Sequence, residues 1–434
     1  MDKKLFLIVV FGVVMRLLFV ASTVDDAYIT FRYARNLASG DGFVYNPGEQ
    51  VLGITNPLYG LVIAFGIFIG IEPVFLSKLI GLACYVAISL VAWKFLKSKF
   101  SKISAYTFAL IFAFDHYTSN WFMSGMETAL FSLVIFSAVV LFINKKEMLA
   151  GLLAGLSIFL RPEGGFLLPL MLIKSKEKKQ IIPGILIAAS FFLMCQLLYG
   201  FPLPYSIYAK TTQTSFTLSG VLKLGYHFAN SIIKEPFPVF LSFFAPLNVL
   251  AILLFPATVF VSYILLGAPV FFWYYAPYYP LFFLTAAVGL SRMSEAVKPK
   301  FRKFLVTSLL VFMTLHQLSF AARELYLQKE AASNIQIYKD FATSIASDKG
   351  SKLVAGDIGI LGYYSGHYLF DVAGLVSPKA VECWKEGRLP ECIAEMDPDY
   401  FVVRKNSIQE GAAVLANCTH LMAESRLHNF YRCD

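Results

Sequence analysis

Apolar runs long enough to cross a lipid bilayer recur along this chain, and no other feature limits its fold as strongly. Pro73 to Trp93 and Ile181 to Tyr199 are two of them. Each approaches the ~20 residues that a helix rising about 1.5 Å per residue needs to traverse a hydrocarbon core of roughly 30 Å. In that medium every backbone N–H and C=O must be satisfied within the segment, so the expected architecture is a bundle of helices. Composition agrees: of 434 residues 57% are apolar and 15% charged, mean hydropathy is +0.64, and an ordinary soluble fold is excluded. The opening "MDKKLFLIVVFGVVMRLLFVAS" starts like a signal peptide. Its apolar run is long and lacks a small-residue cleavage site, so it is expected to stay as an anchor.

Basic clusters set the orientation, because cytoplasmic loops carry an excess of Lys and Arg. Lys3 and Lys4 put the N-terminus inside, and the groups from Lys94, at Lys145, from Lys174 and from Arg292 are assigned to the same side. The net charge of +9 is explained by these loop markers, so no nucleic-acid partner is expected. Thr23 onward then lies outside as a first external loop, 23–56. Two full crossings between that loop and Lys94 would leave the lysine on the wrong side. Pro57 to Ile71, the shorter segment, is therefore read as a juxtamembrane or re-entrant helix at the outer face. Alternation continues through Pro73–Trp93, Ile103–Trp121, Thr128–Ile143, a short pair flanking "RPEGG", Ile181–Tyr199, a hairpin between Phe237 and Leu266, Trp273–Leu290 and Phe304–Phe320. About 11 crossings result, with the C-terminus outside.

From Ala321 the character changes. "SKLVAGDIGILGYYSGHYLFDVAGL" alternates short β-rich runs with glycine turns, and "DPDYFVV" reads as another strand. The expected organisation is a transmembrane helical domain, 1–320, and a small extracytoplasmic α/β domain, 321–434, of a multi-pass plasma-membrane protein. Cys383, Cys392, Cys418 and Cys433 all fall in the outer domain, where disulfides are permitted. Pairing Cys383 with Cys392 and Cys418 with Cys433 would close two short local loops. The alternative is four free thiols. Cys84 and Cys195 lie in apolar segments and need no special role.

The longest polar passage in the first third is "TVDDAYITFRYARNLASGDGFVYNPGEQVLGITNPLYG". Read as a helix from Asp25, it places Ala27, Phe31, Ala34 and Ala38 on one stripe and Asp25, Arg32 and Asn36 on the other side. Such a helix lies along the membrane surface, its polar face toward a cavity. Other polar groups assigned to the outer ends of crossings are Asp26, Arg35, Asp115, His116, Glu127, Arg161, Glu163, Tyr205, Lys210 and the aromatic block "FFWYYAPYYP" with Tyr274 and Tyr275. Each has a plain structural reading. Ser22 or Thr23 with Asp25 or Asp26 fits a capping box, Glu127 and Arg161 fit an interhelical ion pair, the tyrosines fit an interfacial belt, and the isolated His116 is not read as a ligand.

"DDAYITFRYARNLASGDGFVYNPGEQVLGITNPL" resembles the first external loop of the GT-C glycosyltransferases, particularly the branch of the mycobacterial arabinofuranosyltransferases. "SGMETALF", "RPEGG", "LPYSIYAKT", "WYYAPYYP" and "GDIGILGYYSG" resemble later blocks of that branch, in order. One departure stands out: before the aromatic block, where the branch has a glycine–aspartate pair and an arginine, Gly267 is followed by Ala268 and Pro269.

The resemblance implies inverting transfer of a sugar from a polyprenyl-phosphate donor to a cell-envelope glycan, lipid or protein acceptor at the outer face. The residues fit that chemistry. An acceptor hydroxyl needs a carboxylate to take its proton, a role for the pair Asp25 and Asp26, with Asp25 favoured as base because it shares the polar side with Arg32. The second acid is left to cap the helix or to bind a divalent cation, the one cofactor the sequence leaves possible. Arg32, Lys210 and Arg161 are the candidate ligands of the leaving phosphate. Glu127, Tyr205, Tyr274 and Tyr275 are candidates for the cavity wall. Two other classes stay open: a lipid-linked sugar flippase or solute transporter, and a noncatalytic scaffold.

Overall fold

A computed structural model describes residues 2–21, 23–213, 222, 225–226, 236–267, 271–405, 418 and 420–433. Ser22, Ala268 and Pro269 lie outside these described residues. The fold is mainly helical with one small mixed sheet, as expected, and divides into two compact units.

Met1–Ser22, Ser77–Phe191 and Phe216–Tyr326 make the first unit. The helix Glu147–Ser157 and the part of Ile182–Tyr199 up to Phe191 illustrate its packing. A Cβ on Gly155 would lie 2.2 Å from the Gly184 carbonyl oxygen, and one on Gly184 would lie 2.0 Å from that of Gly151. Only glycine lets the two backbones meet, which is how apolar helices associate where lipid tails offer no hydrophobic driving force.

Four helices among the described residues are long and apolar enough to span a bilayer: Pro73–Lys99, Lys178–Tyr199, Leu247–Leu265 and Pro299–Ile345. They mark an integral membrane protein. Pro57–Phe68, Lys102–Phe114, Thr128–Ile143 and Glu147–Ser157 are apolar but shorter. The expected count of about 11 crossings therefore exceeds the four clear spans, and one source of the shortfall is local. The expected crossing Ile103–Trp121 breaks at Asp115, whose carboxylate accepts the Thr118 N–H at 2.6 Å and starts a new helix, His116–Phe122. A short Asp side chain competes well for backbone donors, so it ends one helix and caps the next.

Thr23–Leu76, Phe192–Ser215 and Leu327–Asp434 make the second unit. Strands β1 (Lys352–Ala355), β2 (Tyr368–Asp371), β3 (Tyr400–Arg404), β4 (His420–Glu424) and β5 (His428–Arg432) form one sheet in the order β2-β1-β3-β5-β4. β1 runs parallel to both β2 and β3, while β5 is antiparallel to β3 and β4. The helix Gly359–Ser365 makes the crossover from β1 to β2 that parallel strands require. Val354, Phe370, Ala380, Phe401 and Ile393 close the core with the half-cystines Cys383 and Cys392. The disulfides Cys383–Cys392 and Cys418–Cys433 are those expected from the short loops, and Cys84 and Cys195 are buried free thiols.

The units are discontinuous in sequence, whereas the expected division at residues 320 and 321 is sequential. The helix Pro299–Ile345 runs unbroken through that point, because after Pro299 the chain has no proline or glycine until Gly350. The Pro57–Ile71 segment forms the helix Pro57–Phe68. It ends where Gly70, at φ 83°, reverses the chain.

Candidate active site

Asp25 and Asp26 open the helix Asp25–Ser39 in the second unit. The N-cap is Val24, which makes no side-chain cap hydrogen bond, and Ser22, one partner of the expected capping box, lies outside the described residues. The Asp25 carboxylate caps a different helix. Oδ2 accepts the N–H of Gly359 at 2.8 Å and Oδ1 that of Ile360 at 2.7 Å, satisfying amides that the first turn of Gly359–Ser365 would otherwise leave without a partner. A Cβ on Gly359 would lie 1.8 Å from the Asp25 carbonyl oxygen, so no larger residue fits.

The seam continues along the helix in steps of three and four residues, the spacing of one helical face. The Tyr28 ring packs against those of Tyr363 and Tyr364, each at 5.6 Å. Arg32 Nη1 donates to the Gly362 carbonyl at 2.9 Å, and Arg35 donates to the Tyr363 carbonyl. The face expected to look into a cavity is thus a docking face. Arg32 is 1% exposed. Its Nε donates to the Tyr45 carbonyl at 2.8 Å, and Nη2 to Asn46 Oδ1 at 3.1 Å and the His367 carbonyl at 2.7 Å. Its guanidinium lies 4.1 Å above the Tyr45 ring. A fork bonded to four protein acceptors ties these segments together, in place of the phosphate expected of Arg32.

Burial raises Asp25 to about 7, with the charges of Asp357 and Asp26 adding to it and the N–H groups of Ile360 and Gly359 opposing it. Asp26, one residue on, is exposed. Asp357 belongs to a polar cluster that sequence reading missed. Its Oδ2 lies 3.2 Å from His428 Nε2 and 3.2 Å from the Tyr338 hydroxyl, which is 2.6 Å from His428 Nδ1. Arg404 Nη2 is 3.7 Å from Asp357 Oδ1. Burial holds the His428 imidazole below its ordinary value, even beside Asp357. The signal for Asp357 was its place in "GDIG", directly after a β-rich run. Nothing local pointed to His428 or Arg404. Among the described residues no group of three or more His, Cys, Asp and Glu side chains is arranged to hold a metal ion.

The helix Tyr205–Gln213 also belongs to the second unit and carries Tyr205 and Lys210. Tyr205 is buried, its N–H donates to the Leu52 carbonyl at 2.8 Å, and it packs with Ala209 and Val381. Lys210 is half-buried.

Glu127, Arg161, Tyr274 and Tyr275 gather in the first unit. Arg161 Nε donates to Glu127 Oε1 at 2.6 Å, and Nη1 lies 3.7 Å from Glu163 Oε1. Glu163 in turn accepts from the Tyr263 hydroxyl at 2.8 Å. The guanidinium sits 5.8 Å from the centre of the Tyr274 ring. The ion-pair reading of Glu127 and Arg161 is the observed one, and two carboxylates already balance the arginine. Tyr275 is buried, and its hydroxyl makes no hydrogen bond among the described residues. His116 bonds Gln317 Oε1 through Nδ1 at 2.7 Å and stacks on Phe320, a packing role.

Solved structures that resemble this fold include two of one protein. The crystal structure of ArnT from Cupriavidus metallidurans bound to undecaprenyl phosphate aligns with a TM-score of 0.63 at 13% identity, over 99% of this chain and 98% of that one. The apo state of the same protein aligns with a TM-score of 0.61 at 14% identity, over 99% and 97%. The chain therefore shares the fold of that ArnT along nearly its whole length. This similarity does not single out the arabinofuranosyltransferase branch. A domain family of unknown function, DUF8728, matches residues 326–431. No curated protein matches the chain by sequence.

Proposed function

We propose that this protein is an inverting membrane glycosyltransferase that moves a sugar from a polyprenyl-phosphate donor to a cell-envelope acceptor at the outer membrane face. The fold shared with an undecaprenyl-phosphate-bound protein supports the donor class. The observation that carries the chemistry is Asp25: a part-buried carboxylate, held in place by two backbone amides and brought to about 7. A base poised near the operating pH is what general base catalysis asks for.

In this reading Asp25 takes the proton of the acceptor hydroxyl as its oxygen bonds to the anomeric carbon. The bond from that carbon to the donor phosphate breaks, and polyprenyl phosphate leaves with the electron pair. Each Asp25 oxygen accepts one N–H and keeps a further lone pair for the incoming proton. Asp26 raises the proton affinity of its neighbour. Lys210 is the point cation proposed for the leaving phosphate, while Arg32 holds the helix Asp25–Ser39 against its neighbours in the same unit. The proposed topology keeps the N-terminus cytoplasmic, about 11 crossings and residues 321–434 outside.

Incubating the purified protein with a panel of polyprenyl-phosphate sugars and measuring free polyprenyl phosphate tests the reading. Release from at least one donor is expected. Intact donors throughout, or donor moved across vesicle membranes without cleavage, would replace it with the flippase or transporter reading.

A further inference from the structure

The sheet of the second unit reverses direction of growth at β1, since β2 lies on one side and β3 on the other. In open α/β sheets ligands bind outside the carboxyl ends of the strands at such a switch point. Asp357 follows β1 there, and Arg404 ends β3. The two face each other at 3.7 Å, with 35% of the Asp357 and 64% of the Arg404 side chain exposed.

The glycine spacing Gly356, Gly359, Gly362 between a strand and a helix start has the look of a phosphate-binding turn. The anion position is already filled by the Asp25 carboxylate on the N–H groups of Gly359 and Ile360. A Cβ on Gly362 would strike the Tyr45 hydroxyl at 1.9 Å and Arg32 Nη1 at 2.5 Å. Gly359 and Gly362 serve close packing against Asp25, Arg32 and Tyr45, and a dinucleotide has no place on them. What stays open at the switch point is a carboxylate and a guanidinium set beyond normal hydrogen-bonding distance of each other. Such a pair can accept from and donate to two neighbouring hydroxyls at once. Three carboxylates, Asp25, Asp26 and Asp357, against one arginine disfavour an anionic ligand.

We propose that Asp357 and Arg404, backed by His428 and Tyr338, form the subsite that holds a neutral saccharide acceptor beside Asp25. This rests on the glycosyltransferase reading and narrows its acceptor to unphosphorylated sugar hydroxyls. Nothing in the match to residues 326–431 assigns such a role.

The test uses full-length purified protein and the polyprenyl-phosphate sugar it cleaves, with octyl glycosides of neutral pentoses and hexoses as acceptors and the same glycosides carrying a phosphate. Neutral acceptors should be glycosylated. Arg404→Gln and Asp357→Asn should each raise the acceptor KM about tenfold, the scale of one lost charge-assisted hydrogen bond, with the donor KM within a factor of about two. Arg388→Gln, at an exposed ion pair with Glu386 in the same unit, should change neither constant. Arg404 is exposed, so its variant keeps the fold, and an unaltered melting curve checks this. Preference for phosphorylated acceptors, an unchanged acceptor KM in both variants, or a loss that follows the donor KM overturns the subsite. If the wild type cleaves no donor, the glycosyltransferase reading falls and takes the subsite with it.

Discussion

The Asp25 carboxylate accepts a 2.8 Å hydrogen bond from the N–H of Gly359, 334 positions later in the chain. This one contact ties the acid-bearing helix Asp25–Ser39 to the crossover helix of the sheet. It makes the candidate base a structural residue as well.

That double role shapes the pH behaviour. The folded value of Asp25, about 7, lies above its ordinary 3.8, so the folded state favours the protonated form. Its contribution to stability is fully present below about pH 4 and is lost as pH rises through 7. Activity should follow the opposite course, increasing toward a midpoint near 7 as the base loses its proton. Asp26→Asn removes a like charge and should move that midpoint to lower pH. A midpoint unchanged in Asp26→Asn would separate the titrating group from Asp25.

Asp25→Asn should lower turnover by roughly 100- to 10,000-fold. It also places an amide donor near two N–H groups, so melting must be measured alongside. A fall in turnover of that size with a melting point close to wild type is the expected outcome. Full turnover would transfer the base role to Asp26.

Gly359→Ala should be destabilising by about 1–3 kcal/mol, the usual cost of overpacking, because its Cβ meets backbone that cannot rotate away. Thermal unfolding in detergent reads this directly. An unshifted melting curve would mean that the seam between the two helices is loose.

Arg32→Lys should reduce the yield of folded protein. An ammonium cannot reproduce a planar fork bonded to the Tyr45, Gly362 and His367 carbonyls and to Asn46. Size-exclusion chromatography and melting separate this from a phosphate-binding role. A well-folded variant with weakened donor affinity alone would restore the role first expected of Arg32.

Topology is accessible to labelling. A cysteine at Ser98 should be shielded from an impermeant thiol reagent in intact cells, and one at Asp41 should react. Both positions are exposed in the fold, so shielding reports sidedness rather than burial. Reaction at position 98 would make Pro57–Phe68 part of a crossing and alter the count.

The primary structure alone determined the membrane setting, the helical class, the helix beginning at Asp25, the small mixed domain and the local disulfide pairs. Each of these rests on hydropathy, periodicity or short loop closure, which act over a few to about twenty residues. Periodicity also separated the Asp25–Arg32 face from the Phe31 stripe. It could not say what that face meets, because a polar stripe looks the same whether it borders a cavity or docks on another helix. Only the tertiary structure decided that Asp25, Tyr28, Arg32 and Arg35 close on Gly359–Ser365. Packing also brought Asp357, Arg404 and His428 together from three separate segments, through strand pairing at sequence separations no local pattern records. Asp115 shows the same limit within one helix: its apolar flanks promised a continuous crossing, and a single side-chain bond to the Thr118 N–H divided it.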